Sequence, residues 1–425
     1  MAIIKNPLIV ISGGGGNQPT LFTPSLSIDY VTSILTISDG NGDFANYDLY
    51  YDNNGVWTLV GSNLSKNINL STYFPTHNSD ISLKVQAKGT DFISSGYSAV
   101  IVWAYGVGTP GLAYTLNSDN LSYSCSGIGT ATETDIEIGS IYEGLPVTSV
   151  SATAFSGQRQ LTSVTIPASI TSFRNNAFYG CSSLDDVYYN GNIGQWLSID
   201  FLSGSNPLQN VANLYINDVL LTTLVTPNDI NSLGNFALQG CKSVTDVTVT
   251  DNIVSLGQYC FSASKISHLY IGHGVTNVAG RICYLCPLTS LQITNAQTIG
   301  EGAFRSVETL SKLILPDTLL SADTLSLSNM YALRKVIVKG ANTTIRSDTF
   351  SGSNNIDSVY VLYSEINDYK TRTNWVNYAS IMYPLVDTVA DLSTIDTTAY
   401  TKACVVGNEE YTEYTYDGRN WNIAT

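Results

Sequence analysis

Residues 161–181 read LTSVTIPASITSFRNNAFYGC, from Leu161 to Cys181. Val164 and Ile166 alternate with small hydroxyl residues as a half-buried strand does, and Pro167 ends the run. Ile170 and Phe173 continue the apolar face, and Ala177 and Phe178 lead into Gly180 and Cys181. The same register returns from Leu184, Leu221, Val244, Ile266, Leu288, Leu310, Leu333 and Ile356, in steps of 23, 37, 23, 22, 22, 22, 23 and 23 residues. A fixed period in the low twenties predicts a solenoid, because each unit is too small to bury its own apolar face and needs its neighbours. The inward set repeats as Val244, Val247, Val249, Ile253, Leu256 and Phe261, then as Leu288, Leu291, Ile293, Ile299, Ala303 and Phe304. The one long step marks an insertion over residues 190–217.

The pattern Leu-x-x-Val-x-Ile-Pro followed by Ala-Phe-x-Gly-Cys resembles the BspA-type leucine-rich repeats of bacterial surface and phage-encoded proteins. Departures are visible: Ala237-Leu238, Ile282-Cys283 and Thr324-Leu325 stand at the Ala-Phe site, most later copies lack the proline, and the asparagine ladder of ordinary leucine-rich repeats is missing. The resemblance implies a Trp-bearing insertion running into a hairpin; Trp196 is read as packing under a long loop and not as a contact residue. The resemblance also implies a helical cap in which Tyr369, Trp375 and Tyr378 cover the last coil.

The flanks differ in character. Residues 1–17 read as an apolar docking peptide (Ile3, Ile4, Leu8, Val10, Ile11) on a flexible linker of four glycines. Residues 18–105 hold about seven alternating segments separated by Gly, Asn and Asp turns, which predicts an immunoglobulin-like β-sandwich. Tyr47 to Tyr51 and Ile81 to Lys88 resemble strands of a fibronectin type III domain. Residues 112–384 are assigned to the solenoid and its cap. Residues 385–425 read as a small C-terminal β module of three strands, similar to modules of phage tail and fibre proteins, with a hairpin signal at Asp417-Gly418. The expected fold is mainly β: sandwich, leucine-rich-repeat solenoid, small β module.

Chemistry is scarce. A formal net charge of −15 and the absence of any basic run argue against nucleic acid and anionic membranes as partners. Cys181, Cys241 and Cys260 fall on apolar positions and read as small core residues; Cys283 and Cys286 have C-x-x-C spacing but no second pair, so a structural role is expected. The loop Asp39 to Asp43 has Tyr50 where a calcium loop needs a bidentate acid, and is read as a turn. Of the three histidines, His77, His268 and His273, the last two are expected to be solvated, without metal-ligand spacing. Asp185-Asp186 and Glu409-Glu410 are sequence neighbours whose side chains point apart on a strand, so neither makes an acid–base pair. No catalytic residue, metal or cofactor is therefore expected.

Tyrosine outnumbers phenylalanine 27 to 12, and tyrosine suits binding surfaces. Tyr188, Tyr189, Tyr270, Tyr360 and Tyr363, on or beside repeat strands, are the candidate contacts. Residues 1–11 lack a signal-peptide core, and no membrane-length apolar run or sorting motif follows. On that ground the expected setting is the surface of a phage virion, in a head or tail fibre. The expected partners are other virion proteins through the N-terminal peptide, a host-surface or mucosal protein or glycan, and further copies of the chain. A bacterial cell-surface adhesin is the alternative.

Overall fold

The structure, a computed structural model, describes residues 24–29, 34–38, 46–53, 56–73, 81–88, 97–98, 101–103, 108–210, 212–406 and 411–424. The docking peptide with Ile3, Ile4, Leu8, Val10 and Ile11, the loop Asp39 to Asp43, His77 and Glu409-Glu410 lie outside the described residues. The chain divides into two compact units, Met1–Ser124 with Glu137–Thr148, and Cys125–Ile136 with Ser149–Thr425.

In the first unit, seven strands form two antiparallel sheets: β1 (Ser25–Asp29), β2 (Ile34–Ser38), β3 (Asn46–Asn53), β4 (Val56–Leu64), β5 (Asn67–Asn69), β6 (Ile81–Lys88) and β7 (Ile101–Trp103). The sheet orders are β1-β2-β5 and β4-β3-β6-β7. Alternation decides which side chains go inside. Leu35, Ile37 and Ile68 from one sheet meet Tyr47, Leu49, Leu83, Val85 and Ala87 from the other in one buried cluster. Residues 112–124 and 137–148, assigned above to the solenoid, group instead with this unit. There the Tyr114 and Tyr142 rings stack at 4.5 Å, and Tyr123 donates to Glu143 at 2.7 Å.

The second unit is a stack of coils, each giving one strand to a parallel ladder. Val164 lies beside Val187 and Val187 beside Leu214. Leu224, Val247, Leu269 and Leu291 form the next run, and Leu313, Val336, Val359 and Met382 the last. A second ladder of two-residue strands joins Ser172–Phe173 to Asp200–Phe201, and Asn277–Val278 through Thr298–Ile299 and Ser321–Ala322 to Thr344–Ile345. The inward residues named from the sequence are buried, from Leu161 and Phe178 to Ala303 and Phe304, while Leu221 and Ile356, which open two of the repeats, are half-buried. Rings continue from coil to coil: Phe155 stacks on Phe178 at 4.9 Å and Phe173 on Phe201 at 5.1 Å. Each large apolar side chain so buried contributes about 1.5–3 kcal/mol.

Polar groups also bridge coils. Thr162, Ser267 and Thr289 each donate a hydroxyl to a carbonyl of the preceding coil, those of Thr134, Thr245 and Ser267, at 3.2 Å. The Cys181 thiol donates to Phe155 O at 3.0 Å, the Cys286 thiol to Phe261 O at 2.9 Å, and the Ser353 hydroxyl takes the same role toward Leu327 O at 2.9 Å. All seven cysteines are buried free thiols. Burial pushes the Cys181 thiol up to about 11 and the Cys260 thiol up to about 12.

Coils turn at paired left-handed residues, four apart. The pairs include Asn176 and Gly180, Tyr259 and Ala263, Arg281 and Leu285, and Leu325 and Asn329. The second position is where the repeat carries its glycine, as at Gly180, because a Cβ there crowds the following carbonyl, yet Ala263, Leu285 and Asn329 hold it too. This column corrects one alignment: with Leu325 at φ 55°, the residues at the Ala-Phe site are Ser326 and Leu327, both fully buried, not Thr324-Leu325. Leu285 keeps the turn at φ 63° while half exposed, so its side chain stabilises little and its backbone is strained. Leu285→Gly is expected to raise the unfolding free energy by about 0.5–1 kcal/mol, the relief of strain exceeding the added chain entropy. A urea unfolding midpoint that stays or falls would count against this.

The insertion forms a short helix and then the hairpin that the resemblance implies. Its helix α1 (Ile193–Leu197) starts at a capping box: Asn192 accepts from the Gln195 amide, and the Gln195 side chain accepts from the Asn192 amide, both at 2.8 Å. The strand Asn213–Ile216 then joins the ladder beside Asp186–Asn190 and turns through Asn217 and Asp218 into Val219–Leu220. Trp196 is fully buried, with its ring nitrogen donating to Ala237 O at 2.9 Å.

One boundary differs at the C-terminal side. Tyr369 and Trp375 are fully buried against the preceding coil, where Tyr369 donates to Gly340 O at 2.6 Å and Trp375 to Thr343 O at 2.9 Å. Yet the sheet does not end there. Met382–Val386 pairs in parallel with Ser358–Leu362, Lys402–Val406 follows in parallel, and Tyr411–Tyr416 and Trp421–Ile423 add antiparallel strands. Residues 385–425 therefore continue the solenoid's sheet and are not a separate module. The hairpin turn at Asp417-Gly418 is present, with Asp417 accepting from the Arg419 and Asn420 amides at 2.8 Å.

Candidate functional site on the strand face

Side chains between the inward positions of each long strand point away from the core. In register they form a row: Thr165, Tyr188 and Tyr215, with Leu220 paired across the hairpin from Tyr215. A further row runs Val225, Thr248, Tyr270 and Gln292. Tyr188 and Tyr215 stack at 4.5 Å with planes 20° apart, while Leu220 is 41% and Val225 58% exposed. Two tyrosines and a leucine thus lie side by side on a rigid, partly wet face.

Carboxylates surround this platform. Asp186 accepts from Asn213 at 2.7 Å, and Asp135 accepts from Thr162 at 2.6 Å and Ser163 at 2.8 Å. Desolvation raises the Tyr188 hydroxyl above its ordinary range, and the charges of Asp186, Asp218 and Asp135 add to the shift. Desolvation, with the charge and hydrogen bond of Asp186 after it, raises Tyr215 as well. The neighbouring cation, Lys242, is paired with Asp185.

Further along, the outward face is covered by the chain itself. Ile337, Tyr360, Leu385 and Cys404 form a second buried cluster, with Ile314, Tyr383, Val406 and Tyr411 packed against it. Tyr360 donates to Glu413 Oε1 at 2.6 Å, and Lys335 pairs with the same carboxylate. Burial and Glu413 together hold the Tyr360 hydroxyl far above its usual range.

Three of the five candidate contacts are therefore corrected. Tyr189 is 1% exposed, because it points inward and meets the Trp196 ring edge-on at 5.3 Å. Tyr360 is also 1% exposed, beneath the C-terminal strands. Tyr363 lies in the turn Tyr363–Glu365, where its hydroxyl accepts from the Asp396 amide at 3.0 Å, so it is not on the strand face. Tyr188 and Tyr270 do lie on that face, and the structure brings Tyr188 to Tyr215 and Leu220. Those two lie in the hairpin of the insertion, outside the repeat strands that supply the candidates. Their signal was the alternation Leu214, Tyr215, Ile216 inside it.

Other chemistry is sparse. His268 lies 2.9 Å from Asp246, and His273 lies 3.3 Å from Asp251, all four side chains being largely exposed. Among the described residues, no three of His, Cys, Asp and Glu gather as metal ligands, and no helix is long and apolar enough to cross a membrane. An open cleft of about 480 Å³ is lined by Ser198, Asn228, Asp229, Ile230, Asn231, Ser232 and Asn252. Asp229 is the single ionisable group in that lining.

Stacked parallel coils with an exposed strand face define a β-solenoid repeat protein. Within that class, the chain belongs to the BspA-type leucine-rich repeat family, whose repeat region matches in six copies over residues 134–212, 209–282 and 276–373, more than half of the sequence. Comparison with curated protein sequences gave no match. Similar solved structures include a leucine rich cell surface protein from Faecalibacterium prausnitzii, 18% identical over 68% of this chain and 96% of that one, with a TM-score of 0.34. The pneumococcal vaccine antigen PcpA is 16% identical over 66% and 97%, with a TM-score of 0.25. A leucine-rich repeat protein from Bacteroides ovatus is 14% identical over 64% and 97%, with a TM-score of 0.23.

Proposed function

We propose that this chain is a non-enzymatic adhesion protein that presents the exposed strand face of its coils to a protein or glycan on another surface. The observation that carries this reading is the Tyr188–Tyr215–Leu220 row, an aromatic and aliphatic platform on a rigid ladder. Tyrosine is enriched among the residues that carry binding energy at interfaces, and a preformed backbone loses little entropy on binding. The polar cleft beside Asp229 holds no acid–base pair, which favours binding over catalysis. In the first unit, the strand order β1-β2-β5 against β4-β3-β6-β7 supports a fibronectin type III-like spacer.

Membership of the BspA-type family favours a bacterial cell surface as the setting, the alternative above, over a virion. The virion expectation rested on what residues 1–11 lack, and the fold lends it nothing. The test is retention of full-length protein on mucin-coated and epithelial-cell-coated surfaces. Changing Tyr215→Ser and Leu220→Ser together should lower retention about tenfold, as loss of a central contact does, with an unchanged unfolding midpoint. Equal retention of the double variant would remove the platform from the function.

A further inference from the structure

We propose that the Tyr188–Tyr215–Leu220 platform docks a lysine- or arginine-bearing extended segment of a partner protein, with Asp135, Asp186 and Asp218 taking the cationic heads. This rests on the reading of the strand face as the adhesive surface and names the partner's chemistry. Two independent features of the same face point to it. The first is shape and polarity: the two tyrosines and Leu220 form a strip of apolar area one side chain wide, in a straight row across the strands. The aliphatic stem of a lysine or arginine covers such area while its head stays in water.

The second is charge. Asp186 lies two residues before Tyr188 on the same strand, Asp218 sits in the hairpin turn between Tyr215 and Leu220, and Asp135 accepts from Ser163 at 2.8 Å, two residues before Thr165 of the same row; all three charges also act on Tyr188. Lys242, the neighbouring cation, already answers Asp185. A cation entering beside Tyr188 meets these carboxylates, and the tyrosine hydroxyl oxygens offer it further acceptors. An acidic or neutral segment would find the same apolar strip without its counter-charge. The hairpin itself supplies Tyr215, Asp218 and Leu220, so the 37-residue step that breaks the period also builds the site.

The experiment uses the full chain and two synthetic peptides, one alternating lysine with alanine and one alternating glutamate with alanine. Fluorescence anisotropy should show the lysine peptide binding and the glutamate peptide failing to bind. Asp186→Asn with Asp218→Asn should weaken the lysine peptide about fivefold or more, as the loss of two exposed ion pairs does. Asp357→Asn with Asp387→Asn, away from the platform, controls for the overall negative charge and should leave affinity unchanged. Equal weakening by both pairs of variants would overturn the proposal, since the peptide would then be sensing net charge alone. So would binding that is indifferent to the Asp186 and Asp218 changes, or a platform competed by mucin sugars and not by the lysine peptide. If Tyr215→Ser with Leu220→Ser abolishes surface retention while the peptide result fails, the adhesive face stands and only the partner class falls. If retention is unaffected, the reading beneath it falls too.

Discussion

Trp196→Ala is expected to lower the unfolding free energy by about 3–5 kcal/mol, the range for removing a large buried aromatic ring. The indole is fully buried, meets Tyr189 at 5.3 Å and Phe201 at 5.3 Å, and donates to Ala237 O at 2.9 Å. Ala237 lies beyond the insertion, so this one side chain ties α1 to the coil that resumes the repeat. The cavity left behind would be lined by coils on both sides, which cannot close on it without breaking their ladder register. Trp196→Phe keeps most of the ring and should cost only about 1 kcal/mol for the lost hydrogen bond. Ala237 O retains Asn206 as a donor at 3.1 Å. Urea unfolding followed by circular dichroism reads both variants. A loss below about 1 kcal/mol for alanine would mean that the helix merely fills space.

A chain ending at residue 401 is expected to lose about 5 kcal/mol or more and to bind a hydrophobic dye that the full chain ignores. The cut removes Lys402–Val406, Tyr411–Tyr416 and Trp421–Ile423, and with them the cover over Ile337, Tyr360 and Leu385, which are at most 2% exposed. Re-exposing each of these three costs about 1.5–3 kcal/mol, and Lys335 loses its carboxylate partner. In a stack where each coil leans on its neighbours, loss at one end spreads inward. The last coils should therefore melt first. A truncated chain with the full-length midpoint and no dye binding would show that the C-terminal strands are an ornament on a coil face that is stable without them.

How much of this was legible in residues alone varies by region. The inward set was, because a 22- or 23-residue period with strand alternation repeats each burial decision nine times over. The left-handed turns were legible where glycine marks them, at Gly180 and Gly240, and illegible at Leu285 and Ser306, where the backbone keeps the turn despite the side chain. In the next coil Asn329 holds the glycine position at φ 56°, so no glycine marks the turn and the Ala-Phe site falls two residues after Thr324-Leu325. Trp196 as packing agrees with its burial. The tyrosines were the hardest. Tyr188 and Tyr189 are adjacent, so one had to face the core, and only the pairing of Tyr189 with Ile216 and Trp196 shows which.

What the sequence by itself determined is the coil: its length, its strand, its inward residues and its membership of a repeat family. Those follow from interactions between a residue and its equivalent one period away, so they are written locally and many times. What only the tertiary structure decided is which outward faces stay wet. Tyr188 and Tyr360 occupy the same register position, yet one lies on an open platform and the other beneath the strand carrying Glu413, 53 residues further on. Covering an outward face depends on a single distant contact with no period to announce it, so the fold had to be seen before the surface could be read.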